Sequence, residues 1–152
     1  MDIAIAWNSA GAFGDWVALP GDLATTGGLL SAVLVSLFTD RLASADYLPP
    51  DPNAVPDKRG WWGDTYEPHL LGSRLWQLNR SKKTNSTTLL AQAQDYCMEA
   101  LQWLIDDGIA AAVAVNTQWL TRDAIGIAVQ ITPPTGFAAQ NFQFSWAWGG
   151  IF

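Results

Sequence analysis

The sequence predicts an α+β fold in which an antiparallel three-stranded C-terminal sheet packs against two or three helices. Two patterns carry this prediction: a long amphipathic helix ending near Gly108, and a period-two alternation of apolar residues after it. A third observation is a long loop rich in proline and tryptophan, residues 39–68, which fits neither period. Helices followed by neighbouring strands with short links favour this arrangement over a parallel sheet.

The composition predicts a single domain that functions while packed against other proteins. Of the 152 residues 49% are hydrophobic, 9 are Trp and only 14% are charged, whereas about 25% charged residues are usual. A single domain spanning 1–152 can bury a sizeable core without disulfides or metals. So few charges leave much of its surface poorly suited to water.

Several functional classes are excluded or disfavoured. A net charge of −6 opposes nucleic-acid binding, which depends on neutralising phosphates. The single cysteine, Cys97, excludes an internal disulfide. Because His69 is the single histidine, the sequence has too few Cys and His residues for a zinc site. No phosphate-binding loop, dinucleotide fingerprint or Gly-x-Ser-x-Gly motif occurs. We therefore predict no catalytic residue, no cofactor and no metal.

No membrane or export signal is predicted. The longest apolar run, Leu29 to Phe38, is shorter than the about 20 residues that cross a bilayer. The N-terminus begins Met-Asp and lacks the basic start of a signal peptide. We expect a chain that is intracellular when synthesised and binds no membrane.

The N-terminal segment, residues 1–20, predicts two short strands and the first helix follows it. Ile3, Ile5 and Trp7 alternate along one strand, and Trp16 to Leu19 form the second. The helix is expected to begin after Thr25 or Thr26 as N-cap and to end at Phe38. Its apolar face is expected to hold Leu30, Val33, Leu34, Leu37 and Phe38.

The loop over residues 39–68 contains five prolines, each of which lacks an N–H and disfavours helix in the residue before it. We expect no regular structure there, and a loop of that length is typically functional or disordered. The adjacent Trp61 and Trp62 argue against disorder, so we expect the loop to be ordered against something.

Two helical segments follow the loop. A short amphipathic piece covers Leu70 to Leu78, and a long helix runs from about Thr87 to Asp107 with Ser86 as N-cap. Gly108 is expected to end that helix. Its apolar stripe is predicted to consist of Leu90, Ala93, Cys97, Leu101 and Leu104.

The residues after Gly108 predict an antiparallel meander over 109–148. Apolar residues alternate over 109–115, 125–131 and 142–148, with connections over 117–123 and 133–136. The second face of the first two strands carries Ala and Gly, which would let another element approach closely. Cys97 is interpreted as a buried hydrophobic residue and His69 as a loop histidine at a helix start.

Three clusters leave alternatives open. Asp106 and Asp107 lie where the helix dipole disfavours anions, so they face a partner, pair with Arg74 or Arg41, or form a solvated helix end. The basic residues between Arg74 and Lys83 form a solvated turn or dock to an acidic partner. Trp61 and Trp62 are an interface anchor or a core plug, which we favour, or a sugar-stacking platform.

The order of the motifs resembles the Mu-type phage tail protein family. The motifs are Leu37-Phe38-Thr39-Asp40-Arg41, Arg59-Gly60-Trp61-Trp62-Gly63-Asp64, Gly72-Ser73-Arg74-Leu75-Trp76 and Trp103-Leu104-Ile105-Asp106-Asp107-Gly108. The plan is more remotely similar to the contractile-tail baseplate wedge family, which has carried a "lysozyme-like" label. The Glu-Pro-Arg that follows the wedge family's Trp is replaced here by Leu104-Ile105-Asp106.

The resemblance implies a structural, non-enzymatic baseplate subunit in the virion tail. Multiple copies of it would form part of a symmetric assembly that is built in the host cytoplasm. The implied partners are spike or hub proteins, larger wedge subunits, the tail sheath, which would join by strand addition, and the tail tube as a further candidate. The alternatives are a peptidoglycan-degrading tail hydrolase and a carbohydrate-binding module. The expected interface residues are Asp40, Arg41, Arg59, Trp61, Trp62, Asp64, Arg74, Trp76, Trp103, Asp106, Asp107, Phe142, Phe144, Trp146 and Trp148.

Overall fold

A computed structural model describes residues 2–8, 10–11, 13–26, 28–49, 51–53, 57–78 and 86–147. The order of its elements is β1 (Asp2–Ile3), β2 (Ile5–Asn8), β3 (Phe13–Trp16), β4 (Ala18–Leu19), β5 (Asp22–Leu23), β6 (Thr25–Thr26), α1 (Leu29–Phe38), a 3₁₀ helix (Trp62–Tyr66), α2 (Leu75–Leu78), α3 (Thr87–Asp106), β7 (Ala112–Thr121), β8 (Ala124–Thr132) and β9 (Gln140–Ala147).

The C-terminal sheet has the predicted form, and the predicted α+β class is confirmed. Its strand order is β7-β8-β9 with both pairs antiparallel. One face, which carries the buried Val, Ile and Phe residues of the three strands, belongs to the same core cluster as the apolar stripe of α3. Because successive residues of a strand point to opposite faces, the buried positions recur every second residue.

The first hairpin is tighter than predicted. We expected a connection over 117–123, but Thr117 pairs with Ile127 and Trp119 with Ile125, so β7 continues to Thr121. Thr117 and Trp119 are half-buried while Gln118 is exposed. The period of two therefore persists, but polar side chains on both faces conceal it in the sequence.

Helix α3 matches its prediction closely. It starts after Ser86 and ends at Asp106, and Gly108 has the positive φ of 72° that the end of a helix favours. The stripe is buried as expected except that Leu89 replaces Leu90. Leu90 is half-buried, and its carbonyl oxygen accepts a hydrogen bond from the Thr117 hydroxyl in β7, 3.0 Å away.

The first helix starts later than predicted. Thr25 and Thr26, expected as N-caps, lie in β6 and pair with Asp2 and Ile3 of β1. Helix α1 begins at Leu29, after Gly28 with φ of 87°. The N-terminal strands form three short antiparallel pairs instead of two isolated strands, because residues 18–26 also turn back on the chain.

The 39–68 loop contains one regular element that the sequence did not predict, the 3₁₀ helix Trp62–Tyr66. The short helix expected over Leu70–Leu78 is reduced to the single turn of α2. Leu70 and Leu71 instead belong to an irregular stretch that runs alongside the end of α1, where Asp40 and Ser73 form a parallel bridge.

Candidate interaction surfaces

The Gly72–Trp76 motif joins the end of α1 to α2. Gly72 has φ of 94°, and a Cβ atom there would lie 2.3 Å from the carbonyl oxygen of Thr39. The Ser73 N–H donates to that same oxygen at 2.9 Å, and the Arg41 N–H donates to the Ser73 carbonyl at 3.0 Å. Only a glycine allows the two backbones to come so close.

Ser73 and Trp76 complete this junction from inside the protein. The buried Ser73 hydroxyl donates to the carbonyl of Leu37, one of the last carbonyl groups of α1. The Trp76 indole N–H donates to the Arg41 carbonyl at 3.0 Å. Trp76 is only 4% exposed, so in the single chain this expected interface residue is part of the core.

Arg59 brings together residues that the sequence could only name separately. Its guanidinium carbon lies 4.7 Å from the centre of the Trp76 ring. One terminal nitrogen binds the Asp40 carboxylate, and Nε lies 3.4 Å from the Asp57 carboxylate. Among the described residues, Arg59 is the only one other than glycine that has a positive φ, which is 50°. The cation is thus held between an aromatic ring and two carboxylates.

The Asp64 carboxylate joins the backbone of Trp61 to that of Leu71. It accepts from the Leu71 N–H at 2.9 Å and from the Trp61 N–H at 3.4 Å. The Trp61 ring lies directly over Gly63, where a Cβ would be 2.2 Å from it. Trp61 is 39% exposed and Trp62 78% exposed. In the described part of the loop, Trp61 therefore packs on Gly63 while the Trp62 ring faces outwards.

Arg74 pairs with α3 at a position that the sequence did not single out. Its Nε donates to the Glu99 carboxylate at 2.7 Å, and its guanidinium lies 4.4 Å from the Tyr96 ring centre. The alternative pairing of Arg74 with Asp106 or Asp107 is not found. The Asp106 carboxylate accepts instead from the Gln102 amide at 3.0 Å, one helical turn earlier.

Asp107 faces His69 across a gap between α3 and the loop. Its carboxylate lies 3.6 Å from Nε2 of His69. Arg41 does not reach it, since the Arg41 guanidinium donates to the Leu70 carbonyl at 3.1 Å. His69 lies in a bend of the loop, six residues before α2 begins at Leu75, whereas the sequence suggested a helix start. Trp103, one turn before Asp107, is half-buried and donates its indole N–H to the buried Ser36 hydroxyl at 3.0 Å.

The C-terminal aromatic residues divide between core and surface. Phe144 is buried and contacts Phe38 and Trp7 at ring-centre distances of 5.6 and 6.2 Å. Trp7 stacks on Phe38 and donates to the Ser145 carbonyl at 3.2 Å, so the N-terminal hairpin covers part of β9. Phe142 is half-buried. The Trp146 backbone pairs with Ile125, while its side chain, Trp148 and the basic residues 80–83 lie outside what the structure describes.

The face of the sheet that points away from α3 is shallow and uncharged. Its exposed or half-exposed side chains are those of Ala, Ser, Thr, Asn and Gln, together with Leu120, which lies over the buried Gly126. Asn116, Gln118 and Gln143 surround a shallow depression of about 360 Å³. Side-chain amides both donate and accept hydrogen bonds. The small residues predicted for this face are therefore found, and the polar amides beside them were not expected.

Three further findings concern the part of the chain that the structure describes. No group of three or more His, Cys, Asp or Glu residues there could hold a metal ion. Burial raises the pKa of the Cys97 thiol to about 12, so it is a structural cysteine and a poor nucleophile. No helix within those residues is long and apolar enough to span a bilayer.

Comparison with known proteins places these features in context. A family model described as "Phage protein GP46" matches residues 29–138. The chain is 38% identical over 152 residues to "Baseplate protein gp46" of Escherichia phage Mu, covering 99% of both chains. It is 33% identical over 148 residues to "Mu-like prophage FluMu protein gp46" of Haemophilus influenzae, covering 96% of this chain and 98% of that relative.

Proposed function

The chain belongs to the phage protein GP46 family, and from this membership we propose that it is a structural subunit of a phage tail baseplate. The observation that carries the proposal is its 38% identity, over nearly the whole of both chains, to "Baseplate protein gp46" of Escherichia phage Mu. Its contribution to the tail is to bind neighbouring subunits rather than to catalyse a reaction.

The character of the surface supports a role in an assembly. Within β7–β9 no residue is charged, and the only charged positions between Gly108 and Ala147 are Arg122 and Asp123 at one hairpin turn. The cores of protein interfaces are depleted of charged residues in the same way. Large apolar side chains are exposed elsewhere too, among them Leu48, Trp62, Tyr66 and Phe137.

At a finer level, we propose that the subunit is of the wedge type in a contractile tail. It contacts spike or hub proteins and larger wedge subunits, and it offers a docking site for the sheath, with the tail tube as a further neighbour. Strands β7 and β9 are the two edges of the described sheet, and an edge strand can pair with a strand from another protein. Several copies of the subunit are then present in one symmetric baseplate, which is assembled in the host cytoplasm.

Deleting the gene from a phage that carries it tests the proposal. We expect particles without functional tails, rescued by the intact gene, and we expect mass spectrometry of purified virions to detect the chain. Electron microscopy with a labelled antibody should place it at the end of the tail distal to the head. Infectious particles with normal tails from the deletion strain, or wild-type virions without the chain, would contradict a baseplate role.

A hydrolase is the competing function, and it is tested with the purified chain. We expect no release of soluble fragments from peptidoglycan. If fragments were released, and a single Asp or Glu substitution abolished that release, the hydrolase would replace the structural subunit as the favoured function. Quenching of Trp fluorescence by glycans would instead support a carbohydrate-binding module, although the Trp61 and Trp62 rings are tilted by 48° and so form no flat platform.

A further inference from the structure

A groove of about 350 Å³ separates the loop over residues 67–72 from the last turns of α3. The α3 wall presents Ala100, Trp103 and Asp107, which recur at helical spacing on one face. Trp61 forms part of the opposite wall together with Glu67 and His69. We call this feature the Trp61–Trp103 groove.

The charges around the Trp61–Trp103 groove are unbalanced. Among the described residues that line it, two are carboxylates, Glu67 and Asp107, and none is Lys or Arg. Of those lining residues only His69 can become cationic; its Nε2 lies 3.6 Å from Asp107, and it carries charge only when protonated. The nearby Arg41 guanidinium donates to the Leu70 carbonyl. The groove therefore offers aromatic rings and negative charge without a permanent cation.

The same chain builds two complete versions of this arrangement. Arg59 lies on the Trp76 ring and binds the Asp40 carboxylate. Arg74 lies on the Tyr96 ring and binds the Glu99 carboxylate. In each case a guanidinium occupies the space between a ring and a carboxylate. The Trp61–Trp103 groove has the ring and the carboxylate, and within the described residues no arginine fills it.

We propose that the Trp61–Trp103 groove receives an arginine side chain from a different protein rather than from a second copy of this chain. The arginine stacks on a tryptophan ring and pairs with Asp107 or Glu67. The inference rests on the proposed function, because that protein is then another subunit of the tail. Arginine fits better than lysine, since its planar guanidinium can stack on a ring and present two N–H groups to one carboxylate.

Both rings are held in position before any partner arrives. Trp103 is oriented by the hydrogen bond from its indole N–H to Ser36, which is buried. Trp61 is placed by the contact of its ring with Gly63. A site whose groups are already ordered loses less conformational entropy on binding.

The chemistry is tested on the isolated chain by following the indole N–H signals of its tryptophans by NMR. The probes are the neutral-backbone derivative N-acetyl-arginine amide and, as an uncharged isostere, N-acetyl-citrulline amide, at millimolar concentrations. We expect the Trp61 and Trp103 signals to shift with the arginine probe and not with citrulline. Equal shifts with both probes, or no shift with arginine, would overturn the proposal. Shifts produced by raising the protein concentration alone would identify a second copy as the occupant and would also overturn it.

Three variants sharpen this titration. Asp107→Asn should weaken binding of the arginine probe about tenfold, the effect of losing one charge-assisted hydrogen bond. Gly63→Ala should also weaken it, because the new Cβ displaces the Trp61 ring while every charge is kept. Asp123→Asn, at the exposed hairpin turn, is the matched control and should leave binding unchanged. Weakening by the control to the same extent would count against the groove.

Incorporation into virions separates failure of this inference from failure of the baseplate role. The deletion phage is complemented with the wild-type gene, Asp107→Arg or Asp123→Arg, after each purified variant has been shown to unfold at the wild-type denaturant concentration. Loss of Asp107→Arg from tails, with Asp123→Arg retained, supports the groove as a contact. Wild-type incorporation of both variants overturns the groove contact and leaves the baseplate role intact. Absence of the wild-type chain from tails overturns the baseplate role itself.

Discussion

The helix–sheet core, formed by α3 and β7–β9, and the segment over residues 57–78 are stabilised in different ways. The core is held by many apolar side chains that repeat at regular spacing and share the burial. The 57–78 segment has little regular structure. Only its last residues, Leu75, Trp76 and Leu78, are buried with the core, and the rest is held by single contacts, such as those of Ser73 with Thr39 and Leu37. Shared burial tolerates a change of one side chain that conserves its volume, whereas a single contact to a backbone group cannot be replaced by a neighbour.

The largest difference is expected between two tryptophans of the 57–78 segment, of which Trp76 is buried and Trp62 is exposed. Trp76→Ala should lower the free energy of unfolding by about 4 kcal/mol, because it removes a buried ring and leaves a cavity. Trp62→Ala should change it by less than about 0.5 kcal/mol, since that ring is 78% exposed. Urea unfolding followed by circular dichroism measures both. Similar losses would show that Trp62 also supports the fold, against its assignment to the outer surface.

The next effect separates a glycine required by close packing from one required by conformation alone. Gly72→Ala should cost about 3 kcal/mol, because its Cβ would collide with the Thr39 backbone in addition to the strain at positive φ. Gly108→Ala, also at positive φ but with no atom within 4 Å of the added Cβ, should cost about 1 kcal/mol. Equal shifts in the midpoint of urea unfolding would mean that the junction of α1 with residues 72–73 can move apart.

The smallest effect compares the two regions directly. Leu101→Met keeps the volume of a fully buried core side chain and should cost under about 1.5 kcal/mol. Ser73→Ala removes a single oxygen but leaves the Leu37 carbonyl without its donor, and it should cost about 2 kcal/mol. Ser44→Ala controls for the change of residue type: its hydroxyl bonds the exposed Asp46 carboxylate, which water can solvate after the loss, so it should cost under about 0.5 kcal/mol. A larger loss for Leu101→Met would reverse the view that the core is the more tolerant region.

Much of the helix–sheet core could be predicted because its signal is local. The spacing of Ala93, Cys97, Leu101 and Leu104 alone indicates a helix with one buried face, and each lies in the core. The same reasoning failed where polar residues interrupted the pattern, as at Thr117 in β7, or where a partner strand distant in sequence decided the outcome. Thr25 and Thr26 make good N-caps in isolation, but pairing with β1 places them in a strand.

The candidate residues show the same division. The sequence identified Asp40, Arg59, Trp61 and Asp64 by motif, yet it contained no sign that Arg59 lies on Trp76 or that Asp64 holds Leu71. Gly72, Ser73, Glu67 and His69 were given no interface role. A glycine before a serine, immediately preceding a helix, was the one signal that could have marked the junction with α1.

The sequence by itself determined the layers of this protein: a buried helix, a long amphipathic helix and a three-stranded meander, together with the motifs that resemble the Mu-type family. Only the tertiary structure decided which of those motif residues are core, as Trp76 is, and which remain on the surface, as Trp62 does. The physical reason is range. Periodicity records which face of one element is buried, whereas the Arg59–Trp76 contact, the Asp40–Ser73 bridge and the Trp61–Trp103 groove depend on how an irregular segment returns to helices far away in the sequence.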